Sequence, residues 1–178
     1  MPMNTHKHVL DIWKVLILTV TLLPLFMLFI PYWIRHFDRY LPGVPFGFGY
    51  FRYIGIILFL GALFFCLYSI FFLTIRAGGM PIDRVIGGTP PRLVIAGPYR
   101  FVRNPQQLGN ILMLWGLTIY FESLSILIYT LIVTVLSHTQ VVMIEEPGLR
   151  NRFGAEYEYY CKVVPRWIPK IGGKARKP

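Results

Sequence analysis

Two adjacent carboxylates, Glu145 and Glu146, close a long apolar run and stand directly before Pro147. A helix carries negative dipole charge at its C-terminal end, so carboxylates there are disfavoured unless something cationic compensates. An arginine of a neighbouring loop, Arg100 or Arg103, would serve, and so would a cationic ligand; the sequence leaves both open. His138 lies seven residues earlier, about two helical turns, a spacing that puts it on the face of Glu145. An imidazole inside an apolar helix is either hydrogen-bonded across helices or a working acid–base group. Thr139 and Gln140 beside it suit interhelical hydrogen bonding. Arg100 and Arg103 are three apart, just ahead of a helix start. There they either hold a carboxylate or phosphate with help from the helix N–H groups, or anchor the chain at a membrane surface. No His or Cys spacing suits a metal, and no nucleophile-elbow motif occurs.

Apolar helices must position these groups. The 178 residues are 55% hydrophobic and 15% charged, against about 25% charged in an ordinary soluble domain. The mean hydropathy is +0.55. The chain therefore reads as an all-α integral membrane protein with one domain over 1–178. A net charge of +10 would suit nucleic acid, but the basic residues fall between and after apolar runs, as in membrane loops, so no nucleic acid is expected. Cys66 sits in an apolar run and Cys161 in a polar tail, a usage that implies neither a disulfide nor a zinc site. The first apolar run is too long for a signal-peptide core and reads as a retained helix.

About 20 residues cross a bilayer as a helix, and four runs qualify, at about 12–34, 51–75, 105–121 and 124–146. Pro24 and Pro31 kink the first; the third is short for a span. Asn104 suits an N-cap, Pro105 the first helical position and Gln107 the far end of a capping box. Glu122-Ser123 leaves only a tight turn between the last two spans, and Pro147-Gly148 ends or kinks the fourth. In the tail, Leu149, Phe153, Tyr157 and Tyr160 share one face of an amphipathic helix lying on the membrane. Lys170, Lys174, Arg176 and Lys177 form a basic end suited to anionic lipid. Four spans put the N-terminus, the 76–104 loop and the tail on one side. That side holds fifteen of the eighteen basic residues, the other only Arg35, Arg39 and Arg52. The positive-inside rule makes the richer side cytosolic.

The motifs Gly97-Pro-Tyr-Arg-Phe-Val-Arg-Asn-Pro105, an apolar hairpin, Glu145-Glu-Pro-Gly-Leu149 and Val164-Pro-Arg-Trp-Ile-Pro169 occur in that order. Over about residues 91–170 this series resembles the membrane methyltransferases of the isoprenylcysteine carboxyl methyltransferase and phospholipid N-methyltransferase group. The resemblance implies S-adenosyl-L-methionine as methyl donor, in a cytosolic pocket made by the long loop, the hairpin and the C-terminal segment. Carried over by position, Leu93 and Val94 bind the cofactor through backbone, Tyr99 lines its pocket, Asn104, Pro105, Gln106 and Gln107 contact it, and Glu145 holds it by its carboxylate. Many relatives have His at the Asn104 position and Tyr at the Gln107 position. The arginine that contacts substrate in prenyl-cysteine enzymes is Val141 here. His138, Glu146 and Arg100 remain as candidates for catalytic work on the acceptor.

The expected activity is methyl transfer from S-adenosyl-L-methionine to a lipophilic or small-molecule acceptor at the cytosolic face. The lipid bilayer is the expected partner, with no obligate protein partner. Methyl transfer needs alignment and water exclusion more than acid–base machinery. A rival reading makes His138 and Glu145 a proton relay in a small transporter. It requires a polar stripe across the membrane, and the first two spans offer mainly Thr19, Thr21, Ser69 and Thr74. A membrane scaffold without catalysis is the third reading.

Overall fold

A computed structural model describes residues 25–41, 47–77 and 93–169. Residues 12–24 of the first expected span, the 78–92 part of the long loop and the basic end at Lys170–Lys177 lie outside the described residues. The described chain is all-α, without a strand. A π turn, Leu25–Phe29, runs into α1 (Ile30–Ile34), and 3-10 turns come next at Arg35–Tyr40 and Gly49–Arg52. Helix α2 (Tyr53–Ala77) is the first long element. A 3-10 turn, Gly97–Arg100, leads to α3 (Pro105–Phe121) and α4 (Leu124–Gln140). Beyond α4 come a π turn, Val141–Glu145, then α5 (Glu146–Phe153) and α6 (Ala155–Val163).

Two continuous helical stretches, Gly49–Arg76 and Leu124–Phe153, are long and apolar enough to cross a membrane. Helix α3, with 17 residues, reaches about 25 Å at 1.5 Å per residue, somewhat short of the roughly 30 Å hydrocarbon core. The burial pattern of α2 is that of a helix in lipid. Its buried stripe consists largely of small and medium residues, Ala62, Cys66, Ser69 and Leu73. Ile57, Phe64 and Phe71, spaced by sevens, are exposed on the outside. A soluble helix would invert this arrangement; the chain is an all-α membrane protein.

Small residues set the main contact, α2 against α3. A Cβ on Gly116 would stand 2.7 Å from the Gly55 carbonyl oxygen, and one on Gly55 would stand 2.7 Å from the Tyr120 backbone nitrogen. Backbones approach that closely only where side chains are absent, a common membrane solution because lipid offers no hydrophobic drive between helices. Helix α4 joins α3 through a buried Thr118–Thr130 hydroxyl pair at 2.9 Å. Tyr129 of α4 donates to the Phe26 carbonyl at 3.1 Å and so ties in the first segment.

The α3–α4 link is as tight as Glu122-Ser123 implies. Glu122 takes a left-handed conformation, and the Ser123 hydroxyl oxygen accepts from Ile126 N–H at 3.1 Å. Asp38, far away in sequence, accepts from Ser125 N–H at 2.9 Å and caps the same helix end. Burial pushes the Asp38 carboxyl up, but hydrogen bonds from Ser123 and Ser125, with the Arg35 charge nearby, outweigh it and hold the group below its ordinary value.

Several local expectations are corrected. Asn104 precedes α3 but makes no side-chain cap; the Gln107 amide points to Glu145 instead of closing a capping box. Of the two expectations for Pro147, ending or kinking the fourth helix, the first does not hold, since the helix continues to Phe153. The π turn before it sends Glu146 N–H to the Val141 carbonyl, five residues back. That wider turn gives room to a proline ring that would otherwise meet the carbonyl four residues earlier. Thr139 bonds back to the Val135 carbonyl of its own helix, not across helices. The tail is two helices, broken at Gly154 with φ +50°. Leu149, Tyr157 and Tyr160 do share a buried face, with Val164.

Candidate active site

The site lies where the 93–104 segment, the start of α3, the π turn and the C-terminal segment meet. The segment from Leu93 enters extended. Val94 packs with Leu73 and Tyr99, while Leu93 and Ile95 pack against the tail cluster, the alternation an extended chain imposes. The turn needs Gly97 at φ +56°, where a Cβ would also stand 2.7 Å from the Phe72 ring. Tyr99 and Val102 are buried beyond it.

The C-terminal segment clamps this turn. Tyr160 donates its hydroxyl to the Tyr99 carbonyl at 2.6 Å, and Arg103 N–H donates to the Pro165 carbonyl at 2.9 Å. Glu146, 2% exposed, is the knot. Arg166 holds it in a fork, Nε to Oε1 at 2.6 Å and Nη2 to Oε2 at 2.9 Å. Arg103 Nη1 stands 3.1 Å from Oε1, and Arg150 lies 3.9 Å from Oε2. Planar two-point pairing of this kind fixes orientation as well as charge. Burial pushes the neighbouring Tyr157 phenol well up, Cys161 and Glu146 adding to it, so it stays protonated.

Glu145 has different surroundings. It is 5% exposed, and its Oε1 accepts from the Gln107 and Gln140 amides, each at 3.5 Å. Asn104 is buried as well, and its Nδ2 has no hydrogen-bond partner among the described residues. Pro105 is buried at the head of α3, and Gln106 and Gln107 are half-buried. Glu146 is thus committed to arginines, while two side-chain amides reach Glu145.

The two remaining candidates stand apart from this group. Arg100 is exposed, with its guanidinium 4.5 Å over the Phe101 ring; of the two loop arginines, Arg103 meets Glu146. His138 is exposed, and its Nδ1 accepts from Trp167 Nε1–H at 3.1 Å. The seven-residue spacing does not keep His138 on the face of Glu145, because the π turn inserts about one extra residue and rotates the helix beyond it by roughly 100°. Arg150 and Arg166 for Glu146, and Gln107 and Gln140 for Glu145, are partners that the sequence did not assign to the glutamates.

A sequence model described as phospholipid methyltransferase matches residues 51–156. The chain belongs to the phospholipid methyltransferase family. No curated protein matches, and no solved structure matches. The matched region runs from the head of α2 into α6, and it includes the 97–104 turn and both glutamates. Membership makes the chain a membrane methyltransferase. Arg166 and Trp167 lie beyond the matched residues, so the fork on Glu146 is built from outside that region.

Proposed function

We propose that this chain transfers a methyl group from S-adenosyl-L-methionine to a lipophilic or small-molecule acceptor at the cytosolic face of a membrane. The observation that carries the reading is the buried Glu145 carboxylate among amides, within a phospholipid methyltransferase sequence. Methyltransferases of this family generally use that donor. When bound, it supplies an electrophilic methyl group on a sulfonium. Two features of the site fit it. The Glu145 carboxylate favours a cation in a partly dry setting, and the unpartnered Asn104 amide offers a donor to a polar ligand atom. Leu93, Val94, Tyr99, Pro105, Gln106 and Gln107 form the rest of the candidate wall. In this reading Glu146 is a positioning residue: its arginine fork holds the turn from which Asn104 projects.

The family description names phospholipid, and an amine in a lipid head group is the nucleophile that would suit an electrophilic methyl group. The position that carries a substrate arginine in prenyl-cysteine enzymes holds Val141, which is fully buried. A carboxylate acceptor would find no cation there, so the phospholipid side of the group is favoured. The cytosolic assignment rests on the fifteen-to-three division of basic residues.

Calorimetric titration of S-adenosyl-L-methionine into purified protein tests the reading. The wild type is expected to bind, and Glu145→Gln, nearly the same shape without the charge, to bind at least about tenfold more weakly, or roughly 1.4 kcal/mol. No binding by the wild type would end the proposal. Equal binding by the variant would remove Glu145 from it.

A further inference from the structure

At the end of the bundle opposite the glutamates lies a second feature that methyl transfer does not use. A groove of about 650 Å³ opens between the first segment, the head of α2 and the end of α3, with Leu28, Phe29, Tyr32, Phe59, Tyr120 and Phe121 among its walls. Its lining is almost wholly apolar, and its volume falls in the roughly 300–1,000 Å³ range of ligand-sized sites. Two cations stand on its wall residues. The Arg35 guanidinium is 4.8 Å over the Phe121 ring and that of Arg52 is 5.0 Å over the Tyr120 ring. Those two rings are neighbours, with centroids 4.9 Å apart.

The carboxylates at this end are already engaged. Asp38 accepts from Ser125 N–H, and Glu122 accepts from Phe48 N–H at 3.0 Å. Asp38 lies close enough to Arg35 to feel its charge. Neither Arg35 nor Arg52 forms an ion pair with a carboxylate among the described residues. The Arg52 Nε is buried and has no hydrogen-bond partner among them. An apolar trough in lipid will be filled by a chain of some lipid; what is specific here is the cationic pair at its rim.

We propose that this groove is a binding site for an anionic glycerophospholipid, one acyl chain lying against Leu28, Phe29 and Phe59 and the phosphate region meeting Arg35 and Arg52. Arginine suits the task because its planar fork pairs with phosphate oxygens while its face stays stacked on an aromatic ring. The site is separate from the methyl-transfer centre and stands whether or not that reading holds.

Native mass spectrometry of protein released from micelles holding equimolar phosphatidylglycerol and phosphatidylcholine of identical chains tests it. The wild type is expected to retain phosphatidylglycerol at least fivefold over phosphatidylcholine. Arg35→Gln combined with Arg52→Gln is expected to bring that ratio near one. Leu28→Trp, which fills the trough and leaves both charges, is expected to lower retention of both lipids. A wild-type ratio near one overturns the proposal. So does a preference that survives the double substitution, or one that tracks the basic residues of 170–177 instead. Should the double variant not fold, phosphatidylglycerol retention unchanged by Leu28→Trp is equally fatal.

Discussion

Glu145 and Glu146 are adjacent in the chain, yet their side chains reach different partners and divide two duties. Glu146 faces three arginines and fixes the tail to the Gly97 turn. Glu146→Gln should therefore cost stability, roughly 2–3 kcal/mol; this is below the about 3–5 kcal/mol of a fully buried broken pair, because Arg150 and Arg166 reach solvent. Thermal unfolding in detergent measures it. Glu145→Gln should leave the melting temperature within a few degrees and lose donor binding instead. If both variants unfold alike, the division is wrong. The carboxylate pair is legible in the sequence because two acids closing an apolar run are anomalous. Their partners are not: Arg166 is twenty residues from Glu146, and only the folding back of the tail brings it there. Spacing alone misplaces His138 relative to Glu145 for a local reason, since the usual helical period cannot anticipate a π turn.

Helices pack here by what they lack. Gly116→Ala must push α2 from α3, because the new Cβ would stand 2.7 Å from a carbonyl oxygen; a loss of about 1–3 kcal/mol is expected. Gly61→Ala meets nothing within 4 Å and should gain up to about 1 kcal/mol from helix propensity alone. Unfolding of the two variants side by side checks the pair, and equal effects would contradict the close crossing. The helix end at Ser123 makes a pH prediction. Asp38 is held below its ordinary value in the folded state, so its contribution is present at neutral pH and fades as pH falls through about 4 and lower. Asp38→Asn should flatten that acid limb in a stability-versus-pH series; an unchanged limb would assign the acid loss to other groups. The sequence shows the bounds of α3, because Asn-Pro and Glu-Ser punctuate both ends. The long-range cap from Asp38 has no sequence signal, being 87 residues from Ser125.

At the scale of the molecule, the membrane character is readable from composition, and the burial of small residues with exposure of large ones agrees with it. Topology is open to direct test. Arg100 and Arg39 are both exposed and lie at opposite ends of the bundle. In sealed vesicles that enclose the cytosolic face, Arg39→Cys should react directly with an impermeant maleimide and Arg100→Cys only after the membrane is opened, with Cys66 and Cys161 replaced by Ser. Reversed labelling would invert the orientation. The motifs from Gly97 to Leu149 fall within the matched residues 51–156, whereas Val164–Pro169 lies beyond them. The acceptor is not legible, because the one position with an expected substrate contact holds an apolar residue, Val141, which names no head group.

Membranes containing the protein, given S-adenosyl-L-methionine with an isotopically labelled methyl group and then analysed by mass spectrometry, test the central claim most directly. The expected result is labelled methyl in an organic-extractable amine-bearing lipid with the wild type and none above background with Glu145→Gln. Equal labelling with the two proteins, or no labelled product with either, would contradict the account.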